Sequence, residues 1–258
     1  MTDKIKQYAE QLAEAESTRI GTLPLTSVDS TLTVKEAYYI QLENIHRKIE
    51  QGQIIVGKKI GLTSLAMQNL LGVDEPDYGH LLDSMVVENG GQINIEQVLQ
   101  PKVEAEIAFI LKKELRGPNL TALDVIQATD YIVPALEIVD SRIKDWKIKL
   151  ADTVADNASS GFYVLGGKPT KIADIDLELI GMVLTKNGEL VNTGVGAAAL
   201  GNPAKCVAWL ANKLAEFDIS LKAGEVILSG ALSAAEAAQK GDTFTARFAH
   251  IGQVSVRF

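Results

Sequence analysis

The chain has 258 residues, 47% of them hydrophobic and 22% charged, with a formal net charge of −8 at pH 7. These are the proportions of an ordinary globular protein, which excludes a disordered chain and leaves room for one large domain or two small ones. The acidic balance argues against a nucleic-acid partner and against an anionic membrane surface, so an anionic ligand has to be captured by local positive charge or by a bound metal.

In chain order, MTDKIKQYAEQLAEAES has no apolar signal core, and no later apolar stretch approaches the ~20 residues of a membrane span. The expected location is the cytoplasm. The single cysteine, Cys206, fits a reducing compartment and excludes an intrachain disulfide or a cysteine-based zinc cluster. Lys4 to Ala15 is charged, alanine-rich and reads as a helix. Thr33 and Glu36 have capping-box spacing. Tyr38, Leu42, Ile45 and Ile49 follow at helical spacing, with Gly52 beyond the end.

From Ile54 the texture changes to short β-like runs between glycine-rich turns: IIVGKKIGL, VEAEIAFIL, YIVPALEIV, FYVLGG, MVLTKNGELV, EVILSG, TFTARF and QVSVRF. Lys186-Asn187-Gly188 looks like a hairpin turn. Two helices interrupt the strands, Ala122 to Thr129 and Pro203 to Phe217, the second with Asn202 as N-cap. Strands and helices do not alternate regularly, which disfavours a doubly wound sheet or a βα-barrel. The expectation is an α+β fold forming one domain over residues 1–258. A helical N-terminal layer (1–52) lies on a mixed, strand-rich catalytic core (53–258).

The segment PKVEAEIAFIL, residues 101–111, carries the most chemistry. On a strand Glu104 and Glu106 share a face, about 6.6 Å apart, with Val103, Ala105, Ile107 and Phe109 on the other. On a helix they would diverge by roughly 200°. Alone, this is also the pattern of a strand with one solvated face. Glu137 adds weight, because it lies in the otherwise apolar run YIVPALEIV, where a carboxylate must be paired, for instance with Arg142, or must bind a metal. Three convergent carboxylates suit Mg²⁺ or Mn²⁺ and leave positions for a chelating 2-oxo acid and water.

In GKKIGLTS, residues 57–64, glycines bracket Lys58 and Lys59. Strand alternation would solvate one lysine and turn the other to a pocket. DEPDYGHLLD, residues 74–83, reads as a turn-rich loop in which Asp77 or His80 could move protons, although a surface histidine is the simpler reading. DTVADNASSG, residues 152–161, could hydrogen-bond a carboxylate or be a loop. Gly194-Val195-Gly196 and the alanines after it match a relaxed dinucleotide fingerprint, but no buried strand precedes it and its helix opens later, at Pro203. Cys206 falls in a helix as a packing residue.

GKKIGLTS, DEPDYGHL, QPKVEAEIAF, PALEIVDSRIKDW, DTVADNASSG and GVGAAALGNP stand in an order that resembles the 2-keto-4-pentenoate hydratases and the related 4-oxalocrotonate decarboxylases of the fumarylacetoacetate hydrolase superfamily. The resemblance runs from about residue 35 to the C-terminus. It implies the β-roll of that superfamily and a Mg²⁺ or Mn²⁺ site on Glu104, Glu106 and Glu137. It implies that Lys59 faces substrate, that Asp77 is an acid–base residue, and that Leu81, Ser160, Ser229 and Gly230 line the substrate carboxylate. It also implies a homo-oligomer, often pentamer-based, acting on a small 2-oxo or 2-enol carboxylate. RIKDWKIKLADTVADNASSGFYVLGG looks hydratase-like, with Ile143, Trp146 and Phe162 as an apolar wall. Asp140 and SGALSAAEAA lean toward the decarboxylases. The expected reaction is hydration of 2-hydroxypenta-2,4-dienoate in aromatic meta-cleavage catabolism, with decarboxylation of 2-oxohex-3-enedioate as the alternative. A C–C bond hydrolase using His80, or a purely structural metal site, are the more distant readings.

Overall fold

The computed structural model describes residues 3–258. In chain order its elements are α1 (Asp3–Thr18), α2 (Leu25–Val28), α3 (Val34–Glu50), β1 (Ile55–Gly61), α4 (Leu65–Leu71), β2 (Asp77–Leu82), β3 (Val86–Val87), β4 (Lys102–Leu111), α5 (Ala122–Ala128) and β5 (Thr129–Val139). They continue with α6 (Leu150–Ala155), β6 (Ser160–Leu165), β7 (Gly181–Lys186), β8 (Glu189–Val195), α7 (Pro203–Leu214), β9 (Val226–Leu228), β10 (Glu236–Ala237), β11 (Thr243–Phe248) and β12 (Gly252–Arg257). The fold is α+β, as expected.

The helical layer forms where the caps demand it. Thr33 Oγ1 accepts from the Glu36 amide, and the Glu36 carboxylate accepts from the Thr33 amide, so α3 opens on a complete capping box. Gln41 on α3 donates to the carbonyls of Tyr78 and Val154 at 2.9 and 2.8 Å, and Tyr38 stacks on Tyr78. The layer is thereby fixed to β2 and α6.

The main sheet has the order β2-β1-β9-β4-β5-β6-β3, with β10 paired to the edge of β4. It mixes parallel and antiparallel pairs, which agrees with the irregular strand spacing. A second sheet, β12-β11-β7-β8, packs its first two strands against β5. Asn187 and Gly188, both at positive φ, close the β7–β8 hairpin expected there.

Alternation along the strands divides the core in two. Val103, Ala105, Ile107 and Phe109 join the main hydrophobic core with Ile132, Leu136, Ile138 and Val164. The other face holds Leu81, Ala108, Val133, Ala135, Tyr163 and Leu228 in a smaller apolar cluster. That inner face also carries Lys59, Asp77, Glu104, Glu106 and Glu137, since β4 pairs Glu104 with Glu137 and Ala108 with Leu228, while β1 pairs Lys59 with Leu228 and Gly79.

Two segments read as loops are ordered elements. Residues 77–82 of DEPDYGHLLD form a fully buried strand, because pairing with β1 satisfies its backbone despite the flanking turn residues. Within DTVADNASSG, residues 152–155 belong to α6 and Ser160 opens β6. No described helix is long and apolar enough to cross a membrane.

Candidate metal centre and active site

The long β4–β5 ladder places Glu104 opposite Glu137, and Glu106 two residues along on the same face. Each of the three offers a carboxylate oxygen, and these lie within 4.8 Å of one another. Glu106 and Glu137 are fully buried while Glu104 is partly exposed, so the cluster has an open side. Glu106 Oε2 accepts from the Gly230 amide at 2.7 Å. Among the described residues, Glu106 Oε1 and both oxygens of Glu137 have no hydrogen-bond donor of good geometry. Lys59 Nζ lies 3.2 Å from Glu137 Oε1 as an ion contact. The solvated-face alternative therefore fails, and so does pairing with Arg142. That guanidinium binds Asp156 Oδ1 and the carbonyls of Asp140, Ser160 and Asp156 instead.

Buried carboxylate oxygens without donors are costly, and a hard cation satisfies them. Ionised, the three glutamates and Lys59 sum to a net charge of two negatives, which matches a divalent ion. The donor set fits Mg²⁺ or a cation like it. Without an ion, burial and the neighbouring Glu137 push Glu104 up to about 7. Burial, then Glu137 and Glu104, push Glu106 well above the carboxylate range. Burial raises Glu137 too, against the pull of Lys59. Burial alone would lower Lys59, but Glu137, Asp77, Glu104 and Glu106 outweigh it and hold the ammonium protonated.

Both lysines of GKKIGLTS are buried, a correction to the expectation that one is solvated. Lys58 points to the opposite face from Lys59 and pairs with Glu225 at 2.7 Å. Lys59→Ala is expected to lower kcat per folded molecule by about 10² or more, the scale of a lost acid–base or electrostatic group. Lys58→Ala strands the buried Glu225 and is expected to cost about 3–5 kcal/mol of stability with near-normal kcat per folded molecule. Urea unfolding beside steady-state kinetics separates the two, and equal kinetic losses would reject the assignment.

Asp77 sits at the start of β2, buried, with its pKa raised by burial against the pull of Lys59. Gly61 makes room for it: a Cβ there would lie 2.2 Å from Asp77 Oδ1 and 3.3 Å from Lys59 Nζ. His80 is not a surface residue. It is 1% exposed on the face opposite Lys59, and its Nδ1 is 3.1 Å from Gln41 Oε1. Burial, then Lys58, depress its pKa to about 3. It has no access to the carboxylates, which removes the base that the hydrolase reading needs.

Leu81 lies in the inner apolar cluster beside the site. Ser160 approaches Gly79, the residue paired with Lys59, but its hydroxyl donates to the Asn157 carbonyl. Ser229 Oγ is buried without a partner, next to the Gly230 amide that binds Glu106. The wall expected from Ile143, Trp146 and Phe162 does not form at the carboxylates. Ile143 is in the main core, Phe162 lies opposite Ile138 on the outer face, and Trp146 stays at the end of β4, its Nε1 donating to the Gln100 carbonyl and its ring under the Lys102 ammonium. The apolar neighbours are Ala135, Tyr163, Ala108 and Leu228, missed because only strand register identifies them. Asp140 accepts from the amides of Leu99 and Gln100, tied away from the site. Gly194 and Gly196 admit the carbonyls of Leu232 and Leu177, so the fingerprint is a packing device. Cys206 is buried in α7.

The mixed sheet thus carries the cluster of Glu104, Glu106 and Glu137 on one face. Residues 66–258 match the fumarylacetoacetate (FAA) hydrolase C-terminal family, and the chain belongs to that family. It is 50% identical over 217 residues to a 2-hydroxypent-2,4-dienoate hydratase of Pseudomonas putida, covering 84% of this chain and 98% of that one. It is 45% identical to a 2-hydroxyhexa-2,4-dienoate hydratase of Comamonas testosteroni, covering 100% and 99%. The fold superimposes on 4-oxalocrotonate decarboxylase from Pseudomonas putida G7, complexed with magnesium and adipate, with a TM-score of 0.97 at 40% identity, covering 100% and 98%.

Proposed function

We propose that this protein is a divalent-metal-dependent hydro-lyase that converts 2-hydroxypenta-2,4-dienoate to 4-hydroxy-2-oxopentanoate. The observation that carries the reading is the buried carboxylate cluster facing Lys59 and Asp77. The 50% identity to a dienoate hydratase selects the reaction within the family.

Glu104, Glu106 and Glu137 would hold the cation. A bound cation supplies Lewis-acid stabilisation of the charge that develops at the C2 oxygen of a chelated 2-oxo acid. Lys59, kept protonated by its acidic neighbours, donates toward that oxygen rather than acting as a base. Asp77, whose raised pKa suits a group that both takes and gives a proton, moves it at carbon. The dienol first ketonises by gaining a proton at C5. Water then adds at C4 of the conjugated 2-oxo acid, and C3 takes up a proton. The partial exposure of Glu104 leaves the cluster open to a small molecule, as a purely structural metal site would not.

The supporting family context favours Mg²⁺ or Mn²⁺, a homo-oligomer built on pentamers and a cytoplasmic setting. Chelation is the direct test. Excess EDTA is expected to stop loss of dienol absorbance, and added Mg²⁺ or Mn²⁺ to restore it. Full turnover in EDTA would overturn the reading.

A further inference from the structure

The segment 152–161 does more than close the chain between α6 and β6. Thr153, on α6 and 4% exposed, places Oγ1 3.2 Å from Asp77 Oδ2, as donor to the carboxylate. The other oxygen, Asp77 Oδ1, has no hydrogen-bond partner of good geometry among the described residues and lies toward Gly61 and Lys59. Behind Thr153 stands Ser159, its Oγ 3.5 Å from Thr153 Oγ1 and 3.4 Å from Asp156 Oδ2. Asp156 is held in turn by Arg142 and Ser141.

The backbone between these groups is strained. Asn157, Ala158 and Ser159 are three successive non-glycine residues at φ values of 53°, 49° and 53°. Such conformations persist only where the surroundings over-determine them. Here Asn157 is clamped to β2: its Oδ1 accepts from the His80 amide at 2.8 Å, and its Nδ2 donates to the His80 carbonyl at 2.9 Å. Gly79 permits the approach, since a Cβ there would meet the Asn157 carbonyl oxygen at 2.4 Å. The turn is therefore pinned within three residues of Asp77, and α6 with its threonine is pinned with it.

We propose that Thr153 is a positioning residue for proton transfer: its hydroxyl fixes Asp77 through Oδ2, so that Oδ1 alone faces Lys59 and the substrate carbon. The proposal rests on Asp77 as the acid–base group of the reading above. A carboxylate free to rotate presents either oxygen at varying distance, and an ångström of misplacement is worth about 10² in rate.

The test compares Thr153→Val, Thr153→Ser, Thr153→Ala and Asp77→Asn with wild type. The reading is the exchange of C3 protons of 2-oxopentanoate with D₂O in the presence of Mg²⁺, followed by proton NMR. That exchange reports proton transfer at the site whichever overall reaction the enzyme catalyses, while dienol consumption by wild type separately tests hydration. Thr153→Val and Thr153→Ala are expected to lower kcat for exchange by about tenfold or more with KM changed less than about twofold. Thr153→Ser, which restores the hydroxyl, is expected to recover most of the rate. A purely packing role predicts instead that Thr153→Val, the closer match in shape, outperforms Thr153→Ser. That order would overturn the proposal, as would wild-type exchange by Thr153→Val or by Asp77→Asn, or absence of exchange in wild type.

Discussion

Glu106→Gln is expected to reduce turnover by at least ~10³, about 4 kcal/mol of transition-state stabilisation, and yet to make the metal-free protein more stable than wild type. The two effects have one cause. Glu106 is fully buried, close to Glu104 and Glu137, and among the described residues the Gly230 amide is the donor it has. Without a cation its charge is a liability, and an amide of the same shape removes it. With a cation its charge is required. The pH dependence follows with a definite sign. In the metal-free fold burial raises all three carboxylates, Glu104 to about 7. The folded state therefore binds more protons than the unfolded one above the ordinary value of 4.5, and metal-free stability falls as pH rises from there through about 7. Cation binding must displace those protons, so it strengthens over the same range. Thermal unfolding in EDTA and in Mg²⁺ is expected to show a larger metal-induced rise in Tm at pH 8 than at pH 6 for wild type, and almost none for Glu106→Gln. A metal-free Glu106→Gln protein less stable than wild type, or one that keeps the full metal response, would remove Glu106 from the site.

What the residues disclosed about this site follows from how far local rules reach. Period-two alternation is a local property, so Glu104 and Glu106 sharing a face was legible. So was Glu137, because a carboxylate in an apolar run is conspicuous wherever the run folds. The opposite faces of Lys58 and Lys59 were legible for the same reason. What lay on the second face was not. Sequence cannot say that α3 lays Gln41 on His80 or that Glu225 meets Lys58, so a buried pair and a buried imidazole stand where a solvated lysine and a surface histidine were expected. The apolar neighbours of the cluster were missed likewise. Ala135, Tyr163 and Leu228 are unremarked strand residues until the pairing of β4, β5, β6 and β9 sets them beside the carboxylates. Trp146 attracted notice by type, but the nearby turn sends it to the Gln100 carbonyl. Thr153 gave only a weak signal, a polar residue in a small-residue segment, since its partner lies 76 positions away.

The choice between hydration and decarboxylation turns on the far end of the substrate, and there the inner face makes a specific demand. Both candidate substrates present the same C1 carboxylate and C2 oxygen. Only 2-oxohex-3-enedioate carries a second carboxylate, which needs a cation or several donors when desolvated. The side chains that adjoin the cluster on the inner face are Leu81, Ala108, Val133, Ala135, Tyr163 and Leu228, with Ile55, Ile110 and Leu165 packed against them. On that face Lys59 is already engaged by Glu137, and the Lys102 ammonium, two residues before Glu104, sits over the Trp146 ring at the end of β4. Lys58, on the other face, is engaged by Glu225, and Arg142 by Asp156. Such a lining receives a short apolar terminus and leaves a distal carboxylate unpaired. With Mg²⁺ present, kcat/KM for hydration of 2-hydroxypenta-2,4-dienoate is therefore expected to exceed that for decarboxylation of 2-oxohex-3-enedioate by tenfold or more, roughly 1.4 kcal/mol of transition-state preference. Loss of dienol absorbance measures the first and CO₂ release the second, on the same enzyme preparation. A tenfold preference in the other direction would make the chain a decarboxylase and would require a cation at the distal end that the inner apolar cluster does not contain.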